Sequence, residues 1–291
     1  MKVHKLDVPH CMAGEGPVWD VAEQALYFVD IVGRKVHRHD PVSGRNRSWE
    51  VPKVIGSLAL RERGGAIVAL PDGVHALDFD SGAVTPLASP ATLHPRAQFN
   101  DGKVDRRGRF VVGTTDSKVQ EDIGVVYSLS ADLQLSVIDT NITISNGPCW
   151  SPDNQTFYFS DSKRFVIYAY DYDIQTGRTS NKREWINTRS FGGFPDGTTV
   201  DTEGRVWSAL CEGSKVVAWD AQGRVEQVIE FPCTLVSSVM FGGPKLDQLY
   251  VTTLDPRALP FLNKPDEAEA GSTFVVEGLG VQGIPEPRFA G

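Results

Sequence analysis

The 291-residue sequence contains only four cysteines, Cys11, Cys149, Cys211 and Cys233, and none lies in a C-x-x-C pair. Neither a zinc clip nor a disulfide framework is suggested by that spacing. Long apolar runs are missing, since none approaches the roughly 20 residues that a membrane-spanning helix needs. The opening stretch MKVHKLDVPHCMAGEGP lacks the apolar centre of a secretory signal. The expected setting is the reduced cytosol, away from any membrane. There is no Lys/Arg-rich block, and the net charge of −8 is spread along the chain. That excludes the electrostatic footprint of nucleic-acid binding, and nothing in the sequence requires a protein partner.

Helical periodicity is also scarce. Short β-rich runs recur instead, bounded by Gly, Asp, Asn and Pro, which is an all-β pattern. ALYFVDIVGRKVHRHDPVSGRNRSWEV contains a strand, a turn, a second strand, a hairpin and a third strand. GAIVALPDGVHALDFDSGAVTPL repeats that plan, and three further copies follow before a degenerate one, QLYVTTLDP…GSTFVVEGLG. One more short strand precedes each unit: GEGPVWD, IGSLALRE, FNDGKVDRRG, SNGPCWSPDN, FPDGTTVDTEG and SSVMFGGPKL. Six units of four strands, at a period of about 40 to 50 residues, predict an all-β six-bladed β-propeller. Residues 1–291 are expected to form it as a single domain. A pair of irregular β-sandwiches would not need such self-similarity.

The extra strand of each unit is the innermost one, so its start faces the central channel. Asn146 in SNGPCW, Glu15 in GEGPVW and Asp196 in FPDGTT occupy equivalent positions, and Asn100 in FNDG holds that position in blade three. Asn100 and Asn146 are 46 residues apart and Asn146 and Asp196 are 50, one blade in each case. Asn146 precedes Gly147-Pro148, a pair expected to interrupt a strand because Gly loosens the backbone and Pro lacks an N–H. Taken singly, these residues are good turn-formers. Taken together, two carboxylates and two amides converging on one axis repel each other unless a cation is present. Their oxygen donors suit one divalent metal, Ca²⁺, Mg²⁺, Mn²⁺ or Zn²⁺, with open positions left for water and substrate.

Together with YAYDYDIQTGRTSNKR, MFGGPKLDQLYVTT and GLGVQGIPEPRFAG, these stretches make the chain resemble the regucalcin (senescence marker protein)/gluconolactonase family over nearly its whole length. The resemblance implies a metal-dependent lactonase that opens a sugar-acid lactone. It implies Glu15, Asn146 and Asp196 as metal ligands, Asp196 as general base, and Asn100 as a substrate contact. A phosphotriesterase or another esterase of the same propeller type, and a non-enzymatic Ca²⁺-binding protein, are the alternatives. Two positions depart from the family pattern. Gln98 stands where such members carry Arg, and Lys118 where they place a substrate-contacting Glu. An Arg fork holds hydroxyl pairs or carboxylates bidentately, whereas Gln offers one donor group and one acceptor. Gln98 and Lys118 are therefore expected to bind a differently substituted lactone, one bearing an acidic group.

In this scheme the metal polarises the lactone carbonyl and Asp196 accepts the proton of the attacking water. The sequence leaves open whether Asp196 or the activated water itself supplies the basicity. The amide N–H₂ of Asn100 is expected to hold substrate or the developing oxyanion. Nucleophilic hydrolases are disfavoured, because there is no G-x-S-x-G elbow and no histidine in the inner-strand motifs. His37 and His39 read as two neighbours on an exposed strand, and Cys149 as a small buried hydrophobe.

Overall fold

The computed structural model describes residues 1–259 and 265–291. Six four-stranded antiparallel sheets are arranged as the blades of a β-propeller. Blade one runs through Gly14–Asp20, Ala25–Asp30, Lys35–Asp40 and Arg45–Glu50, each strand hydrogen-bonded to the next. Blades two to five repeat this meander, starting at Ser57, Ala97, Ser145 and Phe194. Among the described residues no helix is long and apolar enough to cross a membrane.

The sixth blade departs from the expected pattern. Its first three strands are Val236–Gly242, Gln248–Thr253 and Phe274–Glu277, but the fourth is Lys2–Lys5 from the opposite end of the chain. Lys2 pairs with Glu277 and Lys5 with Phe274, and this antiparallel pairing closes the ring. All four residues of that strand are exposed, so its amphipathic signal in the sequence is weak.

Burial explains why the second strands of the blades carry so little charge. The middle strands read Ala25–Asp30, Ala66–Leu70 and Val206–Cys211, buried along their whole length because each blade is covered on both faces by its neighbours. The apolar side chains gather between adjacent blades. Tyr27, Val29 and Trp49 of blade one pack with Leu58 and Val68 of blade two, and Trp207 of blade five packs with Phe241 of blade six. Outer strands such as Arg45–Glu50 are polar and exposed.

Candidate active site

The inner strands of five blades share one irregularity; in blade six it lies between Val236 and Ser238, and the other four surround the polar residues. One extra residue is inserted between Glu15 and Val18, between Phe99 and Gly102, between Asn146 and Cys149, and between Pro195 and Thr198. A β-bulge bends the strand and re-aims its side chains, and each of these bulges falls on one of the four equivalent polar residues. Blade two contributes none of the four, and its inner ladder is regular. Gly16 and Gly147 follow Glu15 and Asn146 with φ of +51° and +56°, a conformation that L side chains rarely adopt. A Cβ on Gly147 would also lie 2.6 Å from the Asp196 carbonyl oxygen. The expected interruption at Gly147-Pro148 is thus corrected. Ser145–Trp150 is one strand containing a bulge, and Pro148 falls where the ladder has no bond.

These bulges bring Glu15, Gln98, Asn100, Asp101, Asn146 and Asp196 onto a single cavity of about 350 Å³. The cavity wall comes from the turns that follow the second strand of several blades, with Val119, Lys163, Phe165, Glu212 and Leu254. Those turns lie at the same end as the inner-strand starts because neighbouring strands are antiparallel. Lys118 is exposed and is not part of the lining, although Val119 beside it is. Among the described lining residues, Lys163 supplies the cation.

Hydrogen bonds fix the amides. The Asn146 Nδ2 donates to Ser162 Oγ at 2.9 Å, and that hydroxyl donates to the Pro195 carbonyl at 2.6 Å. Asn146 Oδ1 accepts from Asn100 Nδ2 at 2.9 Å, and the same Nδ2 donates to the Ser145 carbonyl at 2.9 Å. Both amide hydrogens of Asn100 are therefore committed. The oxyanion role expected of its N–H₂ is corrected accordingly, and Asn100 has its Oδ1 left to offer to a ligand.

Asp101 escaped the sequence reading because Asn-Asp-Gly looks like turn chemistry. Its carboxylate is buried and accepts from Gly102 N and from Gly147 N, each at 2.8 Å, tying blade three to blade four beside Asn146. Burial pushes its pKa up, with Lys103 opposing the shift.

Glu15 and Asp196 are each 5% exposed and hydrogen-bond one another. Burial raises both pKa values well above the usual carboxylate range; the negative charges of Asp196 and Asp101 add to the rise at Glu15, and that of Asp101 to the rise at Asp196, where the hydrogen bond with Glu15 opposes it. Without a counter-charge two such buried carboxylates repel each other when both are ionised. Two negative charges and the Asn146 carbonyl oxygen form a hard-oxygen donor set for a divalent cation, and the residues present fit one. Glu15, Asn146 and Asp196 would hold it.

A pH dependence follows. In the metal-free protein these carboxyls bind protons more tightly folded than unfolded, so their stability contribution is complete below the unfolded-chain pKa and is lost as pH rises through the folded value. Glu15→Gln is expected to raise the melting temperature of chelator-treated protein at about pH 8, with the gain fading towards about pH 4. Scanning calorimetry on both proteins checks this, and a gain that grows on acidification would contradict it.

Residues 13–255 match the family described as "SMP-30/Gluconolactonase/LRE-like region". The chain is 37% identical to regucalcin of Xenopus laevis over 287 residues, covering 96% of this chain and 95% of that one. Among solved structures it superposes on a luciferin-regenerating enzyme with a TM-score of 0.91 at 29% identity, over 99% of each chain. It also superposes on a calcium-binding protein, regucalcin, of Agrobacterium tumefaciens with a TM-score of 0.89 at 27% identity, over 98% of this chain and 96% of that one.

Proposed function

Since the chain belongs to the SMP-30/gluconolactonase/LRE-like family, we propose that it is a metal-dependent hydrolase opening a sugar-acid lactone to the free acid. The observation that carries this is the meeting of Glu15, Asn146 and Asp196 in one cavity, from blades one, four and five. A divalent cation bound there supplies Lewis acidity toward the ester carbonyl and toward water. The regucalcin of Agrobacterium tumefaciens, described as calcium-binding, supports a cation at such a site.

The chain's own groups have separate tasks. Asp196 accepts at its carboxylate the proton released by the attacking water. Ser162 and Asn100 lock the Asn146 side chain, so that its Oδ1 is presented without rotamer freedom. Asn100 Oδ1 and the Gln98 amide meet substrate hydroxyls. Phe165, Leu254 and Leu259 wall the cavity with apolar surface that limits water around the reacting ester. Lys118 at the exposed turn, with Lys163 on the wall, draws in a lactone carrying an acidic group.

A pH-drop assay on a panel of neutral and acidic aldonolactones, with a paraoxon-like ester alongside, tests the substrate class. Lactone turnover well above ester turnover is expected, and Lys118→Ala is expected to lower turnover of the acidic lactones more than of the neutral ones. Preferential hydrolysis of the phosphate ester would favour a phosphotriesterase. Tight metal binding with no turnover of either would favour a binding protein. Equal loss on both lactone classes would remove the acidic-group specificity.

A further inference from the structure

Away from the channel cavity, blade one carries a mixed cluster of sulfur, nitrogen and oxygen donors. Cys11 Sγ, a ring nitrogen of His37 and a carboxylate oxygen of Asp30 all lie within 4.8 Å of one another. Cys11 is 0% exposed, His37 3% and Asp30 5%, and none of the three lines the channel cavity. They come from three places: the segment that leads into blade one, the end of strand Ala25–Asp30, and strand Lys35–Asp40. His37, expected on an exposed strand, is in fact covered and tilts against the Phe28 ring at 5.0 Å.

The imidazole is the informative member. Its Nδ1 bonds to Ser48 Oγ at 2.7 Å, which fixes the ring, while Nε2 is buried with no hydrogen-bond partner among the described residues. Buried polar atoms are almost always satisfied, and leaving one unmade is costly. Asp30 spends Oδ1 on the backbone N–H groups of Ala13 and Gly33, both at 2.9 Å, and receives Met12 N on Oδ2 at 3.0 Å. Each carboxylate oxygen has about two lone-pair directions, so Oδ2 retains one. Among the described residues, the hydrogen-bond contact of Cys11 Sγ is a 3.7 Å one to the Pro9 carbonyl.

We propose that Cys11, Asp30 and His37 form a second metal site, separate from the channel and selective for zinc. Charge and softness both point that way. A thiolate and a carboxylate cancel the charge of a divalent ion, with imidazole as the neutral ligand, so the buried site is electroneutral when filled. Thiolate and imidazole donors suit Zn²⁺ and are poor ligands for Ca²⁺ or Mg²⁺. The hydroxyl of Ser48 on Nδ1 is the type of outer contact that sets the tautomer of a ligating histidine. Three protein ligands leave a fourth position for water. The site ties the segment between the ring-closing strand and the inner strand of blade one to the body of that blade.

The test uses Co²⁺ and Zn²⁺ on chelator-treated full-length protein, with Glu15→Gln to cripple the channel site. Wild type and Glu15→Gln are both expected to show a near-ultraviolet thiolate-to-cobalt charge-transfer band, and Cys11→Ser and His37→Gln to lose it. Zinc is expected to raise the melting temperature of Glu15→Gln and not of the double variant Glu15→Gln/Cys11→Ser. Absence of the band in wild type, or its survival in Cys11→Ser, would overturn the proposal, the latter by pointing to Cys211 on the channel wall. Should Cys11→Ser fail to fold, X-ray absorption at the zinc edge of loaded Glu15→Gln decides. A sulfur neighbour at about 2.3 Å is expected, and a shell of nitrogen and oxygen alone overturns the site. None of these readouts depends on lactone turnover.

Discussion

Asp196→Asn is expected to lower kcat for lactone hydrolysis by about 10³-fold, within the range for a lost general base. The change keeps the shape and burial of the side chain but removes the proton acceptor. It also removes one of the two charges available to a cation, so metal affinity falls in parallel, as isothermal titration will show. Glu15→Gln should weaken metal binding comparably while leaving the Asp196 carboxylate in place. Excess metal is therefore expected to restore Glu15→Gln further than Asp196→Asn. Stripping the metal from wild type should abolish turnover, and adding a divalent ion should return it. A metal-free preparation with full activity, or an Asp196→Asn enzyme within a few-fold of wild type, would remove the proposed chemistry and leave the propeller standing.

The second large effect concerns stability. Trp207 is fully buried in the interface of blades five and six, edge-on to Phe241 with ring centres 5.6 Å apart. Its Nε1–H donates to Asp201 Oδ2 at 2.9 Å. Trp207→Ala is expected to cost about 3–5 kcal/mol, the range for emptying a large aromatic site. Trp207→Phe should cost less, since packing is largely kept and Arg205 Nε still donates to Asp201 Oδ2 at 2.7 Å. Urea unfolding followed by circular dichroism measures both. A loss below about 1 kcal/mol for the alanine variant would mean that the interface collapses around the gap.

Much of this was legible in the sequence because a propeller repeats itself. Four polar residues standing at equivalent places in four copies had to converge, and Glu15, Asn100, Asn146 and Asp196 do so. The bulges that aim them left only a faint trace, the glycines and prolines beside them, which resembled loop chemistry. Asp101 was hidden by its neighbours in Asn-Asp-Gly. Ser162 and Lys163 were hidden by position, because they follow the second strand of blade four rather than opening the first. The rule that would have found them is geometric: in an antiparallel meander the turn after the second strand returns to the end where the first begins. The direction of the Asn100 amide depends on the Ser145 carbonyl, which no pattern announces. Cys11, Asp30 and His37 have no repeating spacing, and the lack of a C-x-x-C pair pointed away from zinc. The fourth strand of blade six was invisible for a different reason. Its four exposed residues say nothing of a partner 275 positions away, the separation of Lys2 from Glu277.

That last pairing has a bearing on biosynthesis. Lys2–Lys5 is translated before the other described strands of the propeller, yet its partner Phe274–Glu277 is translated after them. Blades one to five can each form as they emerge, because their strands are sequential neighbours. The nascent torus nevertheless stays open, with an unpaired strand at one flank, until Phe274–Glu277 has emerged. A circular permutant cut between two blades, with the old ends joined, would carry that seam as an ordinary hairpin and close without the wait.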